Sequence, residues 1–167
     1  ERTAAVTVDL DGVADDGEAG ETDTLTGIEG IVGGTGDDIL RGDARSNELV
    51  GRGGADSLIG GVGSDFVFGG DGTDTLRGGS GRFDLLLGGR GNDTLSGGDG
   101  EDELNGNAGA DTVRGGDGRD RIGGGRGRDT LFARDGLRDR FVRGGPGADR
   151  ARIDQGLDTP VDIESLF

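Results

Sequence analysis

From Gly33 onward a single apolar residue returns about every ninth position, and almost everything between is glycine or polar. Leu40, Leu49, Leu58, Val67, Leu76, Leu86, Leu95, Leu104, Val113, Ile122, Leu131, Phe141 and Ala151 carry the rhythm. In a three-residue stretch of the form polar-apolar-polar, the two-residue period of a strand turns the apolar side chain inward and its neighbours outward. The pattern predicts stacked short strands joined by tight turns, each strand giving one residue to a thin core.

Written as blocks, residues 33–132 read GGTGDDILR, GDARSNELV, GRGGADSLI, GGVGSDFVF, GGDGTDTLR, GGSGRFDLLL, GGRGNDTLS, GGDGEDELN, GNAGADTVR, GGDGRDRIG and GGRGRDTLF. Two degenerate blocks follow, ARDGLRDRFV with an extra Arg143, and GGPGADRAR. The first position is Gly in every regular block, and the fourth is Gly except at Arg45. The sixth, or the seventh in the two ten-residue blocks, is Asp in all but the second block, where Asn47 replaces it.

The flanks lack this period. Val6, Val8 and Leu10 alternate with polar residues and predict a strand capping the first coil, which residues 27–34 begin. At the other end, Ile153, Val161, Ile163, Leu166 and Phe167 predict a second cap. The expected organisation is therefore an N-terminal cap over 1–32, a repeat body over 33–152 and a C-terminal cap over 153–167.

Composition alone points elsewhere. With 29% hydrophobic against 31% charged residues and a formal net charge of −16, the chain has the signature of disorder unless something other than a core compensates. The 41 glycines deepen the deficit, since each loses extra backbone entropy on folding and buries no side chain. Acidity of this order argues against nucleic acid and anionic membrane as partners. A cation is the natural partner. Asp outnumbers Glu by 26 to 8, as suits tight turns and oxygen-ligand metal sites. Cys, His, Met, Trp and Tyr are absent, which excludes disulfides, thiolate or imidazole zinc sites and His- or Cys-based catalysis within the chain. No apolar run approaches the roughly 20 residues needed to span a bilayer.

The blocks resemble the calcium-binding nonapeptide repeats, GGxGxDxUx, of RTX (haemolysin-type) proteins. That resemblance implies an all-β, right-handed parallel β-roll in which six residues turn and three form a strand, two blocks complete a coil, and calcium sits between turns stacked on the same side. It also implies a secreted, extracellular protein. Alternate blocks then form two ladders, one of Asp38, Asp56, Asp74, Asp93, Asp111, Asp129 and Asp149, the other of Asn47, Asp65, Asp84, Asp102, Asp120 and Asp139. Their expected companions are the first-position glycines Gly33, Gly51, Gly60, Gly69, Gly78, Gly88, Gly97, Gly106, Gly115 and Gly124. The fourth-position glycines Gly36, Gly63, Gly72, Gly81, Gly91, Gly100, Gly109, Gly118 and Gly127, with Asp71, Asp99 and Asp117 at the third position, complete the set. Glycines at the first, second and fourth positions are expected to supply positive φ and close backbone approach.

One ion between successive rungs gives about ten calcium ions, whose charge of roughly +20 offsets the net −16. The rung at Asn47 is expected to be the weakest, because Arg45 also takes the glycine position. A further candidate is the loop Asp9-x-Asp11-Gly12-x-x-Asp15, which lacks EF-hand spacing and reads equally as a solvated loop. The ten-residue blocks are expected to bulge at 81–84 and 136–139 and to alter calcium geometry there. Near the first, Val50, Phe66, Phe68, Leu85 and Leu87 should stack outward with Phe83 nearby, a patch suited to a protein partner, self-association or cover by a flanking segment.

The leading function is a secreted calcium-binding structural or adhesin-like interaction module. The alternative is the C-terminal calcium-dependent chaperone or secretion module of a larger exoenzyme. Intrinsic catalysis is disfavoured because nearly every Asp occupies a repeat position. Ice binding wants a regular Thr/Asn array, whereas the ladder Thr75, Thr94, Thr112 and Thr130 is flanked by Arg77 and Arg114.

Overall fold

A computed structural model describes residues 3–10, 17–18, 25, 27–133, 135–154, 157–158 and 160–167. The early strands are β1 (Val6–Asp9), β2 (Gly17–Glu18), β3 (Gly30–Val32), β4 (Ile39–Arg41), β5 (Glu48–Gly53) and β6 (Ser57–Val62). The middle ones are β7 (Phe66–Asp71), β8 (Thr75–Ser80), β9 (Leu85–Arg90), β10 (Thr94–Gly100), β11 (Glu103–Ala108) and β12 (Thr112–Gly118). The last are β13 (Arg121–Arg126), β14 (Thr130–Ala133), β15 (Phe141–Arg143), β16 (Arg150–Ile153), β17 (Pro160–Val161) and β18 (Ser165–Leu166).

These strands form two sheets, in the orders β18-β16-β14-β12-β10-β8-β6-β4-β1-β2 and β17-β15-β13-β11-β9-β7-β5-β3. Because successive strands from β3 onward fall alternately in the two sheets, the chain winds as a β-solenoid of about seven turns. All pairings are parallel except β1 with β2. Among the described residues no helix is long and apolar enough to cross a membrane.

Rungs stack like on like. Leu76, Leu95 and Val113 lie side by side in one sheet, and Leu86, Leu104 and Ile122 in the other. The inward residues from Leu40 to Leu131 are at most 1% exposed. A single file of aliphatic side chains is thus sealed between two sheets, as a period-two strand with one apolar member dictates.

Most central strands run six or seven residues rather than three. They continue through the glycine pair of the next block, where Gly98 still pairs with Gly116 and Asp99 with Asp117. A residue without a bulky side chain lets the ladder pass the corner, so the turn shrinks to the fourth to sixth positions.

At the N-terminus β1 adds a rung to the ten-stranded sheet, Val8 beside Leu40, with Val6 and Leu10 buried. Ile31 of β3 is buried and begins the other sheet. At the C-terminus β17 and β18 extend both sheets in the same register. Ile153 and Ile163 pack against the core as expected. Val161, Leu166 and Phe167 do not form a lid: each is about half exposed, since Val161 and Phe167 point outward and no described strand stacks over Leu166.

One core position needs correction. Phe141 is 60% exposed, and Val142 at 1% takes the inward place beside Ile122. Both Arg140 and Phe141 direct their N–H at the Asp120 carbonyl, so an extra residue bulges before β15 and shifts the alternation by one.

Candidate metal sites

Each sixth-position aspartate lies in the last turn residue before a strand, and each side chain bends back into the stack. Asp38, Asp56, Asp74, Asp93 and Asp111 donate their backbone N–H to the Oδ1 of Asp56, Asp74, Asp93, Asp111 and Asp129 at 2.8–2.9 Å. Asp129 donates in the same way to Asp149. The second ladder runs from Asn47 through Asp65, Asp84, Asp102 and Asp120 to Asp139, again at 2.8–2.9 Å. Both expected ladders are therefore present, and all their members are buried.

The ladders also reach further than the repeat pattern suggests. Val6 N–H bonds Asp38 Oδ1, so β1 stands in for a missing rung. Asp139 N–H bonds Asp158 Oδ1, and Asp149 N–H bonds Glu164 Oε2. Asp158 and Glu164 escaped the sequence reading because Asp158 is preceded by a fourth-position glycine, Gly156, without the first-position pair, and Glu164 by no block glycine at all. The acid two residues before an inward strand position was the only available signal.

With Oδ1 engaged, Oδ2 is left over. Among the described residues the Oδ2 atoms of Asp56, Asp65, Asp74, Asp84, Asp93, Asp102, Asp111, Asp129 and Asp149 are buried without any hydrogen-bond partner. A buried carboxylate oxygen with no donor is costly, and a run of them in register demands a counter-charge. Burial, and after it the charges of neighbouring aspartates, push Asp102, Asp111 and Asp139 up to about 7, against the backbone N–H bond that lowers them. Asp56, Asp65, Asp74 and Asp120 rise to about 6 by the same causes.

The glycines explain where Oδ2 points. A methyl on Gly97 would lie 2.5 Å from Asp102 Oδ2 and 2.5 Å from the Gly115 carbonyl oxygen, and one on Gly88 would lie 2.5 Å from Asp93 Oδ2 and 2.7 Å from the Gly106 carbonyl. First-position glycines from Gly51 to Gly97 thus leave open a point on which a carboxylate and a carbonyl of the next rung converge. Their role is space: none from Gly33 to Gly124 has positive φ, contrary to expectation. Positive φ belongs instead to the second position, where Arg52 (80°) and Asn107 (72°) adopt it without being glycine, and to most fourth positions. At the fourth position a methyl on Gly100 would lie 2.9 Å from both Asp102 Oδ1 and the Gly81 carbonyl.

Hard cations such as calcium take oxygen ligands, carboxylate and carbonyl together, at about 2.3–2.6 Å. The open points beside the first-position glycines have that donor set and that scale. Among the described residues no three acidic side chains gather at one place, so backbone carbonyls must complete any such site.

The family model for the RTX calcium-binding nonapeptide repeat matches residues 22–44, 32–67, 50–82, 79–113 and 96–131. The chain belongs to this family. No curated protein matches it. The RTX repeats here depart from uniformity at a few rungs. Asn47 offers no spare anionic oxygen: its Oδ1 accepts the Asp43 N–H and its Nδ2 is buried without a partner. The longer block at 78–87 leaves its ladder untouched, with Asp84 bonded on both sides at 2.8 Å, because Arg82 and Phe83 bulge on the outside of the turn. Asp139 keeps its place in the ladder also.

Other candidates lie apart. Asp71, Asp99 and Asp117 have exposed side chains, and Asp71 pairs with Arg90 at 3.5 Å. Asp9 ends β1 beside Arg41. Asp11 and Asp15, the remainder of that loop, lie outside the described residues.

Proposed function

We propose that this chain is a secreted structural and interaction module that folds when about ten calcium ions fill its two aspartate ladders. The supporting observation is the row of buried, partnerless Oδ2 atoms, each beside a first-position glycine, with a neighbouring backbone carbonyl facing the same point for Asp56, Asp65, Asp74, Asp84, Asp93, Asp102 and Asp149. When bound, calcium would supply the positive charge that lets these carboxylates stay ionised inside the stack. Asp56, Asp74, Asp93, Asp111 and Asp129, with Asp65, Asp84, Asp102 and Asp120, hold the charge. The first-position glycines keep the space, and the carbonyls of the following rung supply neutral oxygen.

Extracellular calcium modules bind at roughly 10⁻⁴ to 10⁻³ M. At tenfold excess over Kd each site stabilises the folded chain by about 1.4 kcal/mol, and ten such sites by on the order of 14 kcal/mol, comparable to a whole ordinary domain. A gradient from low cytoplasmic to high external calcium would therefore time folding to export. This also fits service as the C-terminal chaperone or secretion module of a larger exoenzyme.

For the interaction role, the face of the eight-stranded sheet is the relevant surface. Val32, Val50, Phe68 and Leu87 lie side by side across β3, β5, β7 and β9, with Phe66 beside Leu85. Phe66 is 44% and Val32 55% exposed. Such a continuous apolar ladder is suited to a protein contact or self-association.

A calcium titration followed by far-UV circular dichroism, with magnesium as control, tests the reading. A cooperative coil-to-β transition at sub-millimolar to millimolar calcium, absent with magnesium, is the expected result. Full β-structure in excess chelator at neutral pH would overturn it.

A further inference from the structure

The two sheets present opposite surfaces. On the outer face of the ten-stranded sheet, the ninth-position ladder from β4 to β16 reads Arg41, Ile59, Arg77, Ser96, Arg114, Phe132, Arg152. Arginine thus recurs at every second strand, which at 4.7–4.9 Å per strand sets the arginine backbones about 9.4–9.8 Å apart. Beside it runs the seventh-position ladder Ser57, Thr75, Thr94, Thr112, Thr130, Arg150. From β4 to β16 these two ladders contain no carboxylate. In a chain of net charge −16, that is a marked segregation.

These arginines are not spent on the protein. Arg77, Arg114, Arg150 and Arg152 are exposed, and none forms an ion pair with a described residue. Arg114 lies over the Phe132 ring at 4.7 Å and Arg152 over the Phe167 ring at 5.6 Å. Stacking on a ring fixes a guanidinium while leaving its in-plane N–H donors free, the fork that grips a carboxylate through two bonds. Asp9 of β1 lies beside Arg41 at one end of the ladder. Asp99, Asp117 and Asp135 keep to the turn edge, where Asp117 and Asp135 join Arg114, Phe132 and Arg152 around a shallow depression.

We propose that this face binds an acidic polysaccharide, a chain of sugars bearing regularly spaced carboxylates, laid across the strands. The arginines meet the carboxylates, and the threonine row meets the sugar hydroxyls. A single-stranded nucleic acid fits less well, for it needs aromatic rings on which successive bases stack, whereas Phe132 is the one aromatic ring in the ladder before Phe167. The proposal requires the folded roll, and so rests on the calcium reading above.

The test is calorimetric titration of the calcium-loaded protein with a uronic-acid hexasaccharide, a neutral glucose hexasaccharide and a single-stranded oligothymidylate, comparing wild type with the double variant R77S/R114S. Circular dichroism of each protein against calcium is run in parallel. The expected result is binding of the uronate alone, weakened about tenfold or more in the variant as two bidentate contacts are lost, with the calcium transition unchanged. Undiminished uronate binding by a normally folding variant, equal binding of the oligothymidylate, or no uronate binding by folded wild type would each overturn the proposal. Should the variant lose its calcium transition, R150S, two strands from Arg114 in the same face, takes its place with the same two readings required. Absence of the calcium transition in wild type would instead count against the calcium reading itself.

Discussion

Asp84 donates its backbone N–H to Oδ1 of Asp102 at 2.8 Å, and so leaves Asp102 with one satisfied and one orphaned oxygen. That division of labour gives the aspartate two separable roles, one in the backbone ladder and one as a charge toward the open point beside Gly97. The variant Asp102→Asn keeps an acceptor for Asp84 and removes the charge. With calcium saturating, it should lose about 1.4 kcal/mol, one site's share, and melt about 3–6 °C lower. Without calcium its effect should reverse sign, because an uncompensated buried charge is gone. Equal destabilisation in both conditions, followed by thermal melts, would mean that Asp102 serves only the ladder.

Proton uptake should partly replace the ion. Asp102, Asp111 and Asp139 are raised to about 7, and Asp56, Asp65, Asp74 and Asp120 to about 6, chiefly by burial. Carboxyls whose folded value lies above the unfolded value of 3.8 bind more protons in the folded chain. Their stabilisation is complete below the unfolded value and is lost as pH rises through about 6 to 7. In chelator, β-structure should therefore be greater near pH 4.5 than at pH 8, and calcium affinity should fall over the same acid range. A calcium-free circular dichroism signal that is flat from pH 4 to 8, or rises with pH, would contradict this.

The bulge before β15 makes a sharp pair of predictions. Val142 is buried beside Ile122, while Phe141 stands outside with Arg121 5.9 Å from its ring. Val142→Ala should cost about 1–3 kcal/mol through the cavity it leaves. Phe141→Ala should cost under about 1 kcal/mol, the value of an exposed cation–π contact. Urea denaturation at saturating calcium reads both, and a larger loss for Phe141→Ala would restore the regular register.

Most of the architecture was legible because the repeat is redundant. Twelve Asp and one Asn, each two residues before an apolar residue, mark the inward face, and stacking of alternate blocks follows from two blocks per coil. What escaped has local causes. A lone extra residue can be absorbed outside a turn, as at Arg82 and Phe83, or just before the strand, as at Arg140, and the pattern does not distinguish them. Asp158 and Glu164 lack the first-position glycine pair, so their place in the ladders depends on packing. The arginine ladder was visible only in part, as Arg77 and Arg114 beside the threonines, because its period spans four blocks and becomes a row only in the folded sheet.

Glycine's two uses in this roll can be separated by substitution. At Gly97 the obstacle to a side chain is the pair of oxygens 2.5 Å from the added methyl, one from Asp102 and one from the Gly115 backbone. Neither can retreat without breaking a rung, so Gly97→Ala should cost about 1–3 kcal/mol as an overpacked interior does, and it should also remove one calcium equivalent. At Gly123, on the outer face of β13, the nearest atoms belong to the Asn105 side chain at 3.4–3.6 Å, which is ordinary contact, and φ is not positive. Gly123→Ala should therefore leave the calcium count intact and stabilise by about 0.4–1 kcal/mol, because alanine narrows the unfolded ensemble. Calcium stoichiometry by equilibrium dialysis, set beside thermal melts, checks both. If Gly97→Ala binds the full complement of calcium, the open point at the first position is not where the ion sits.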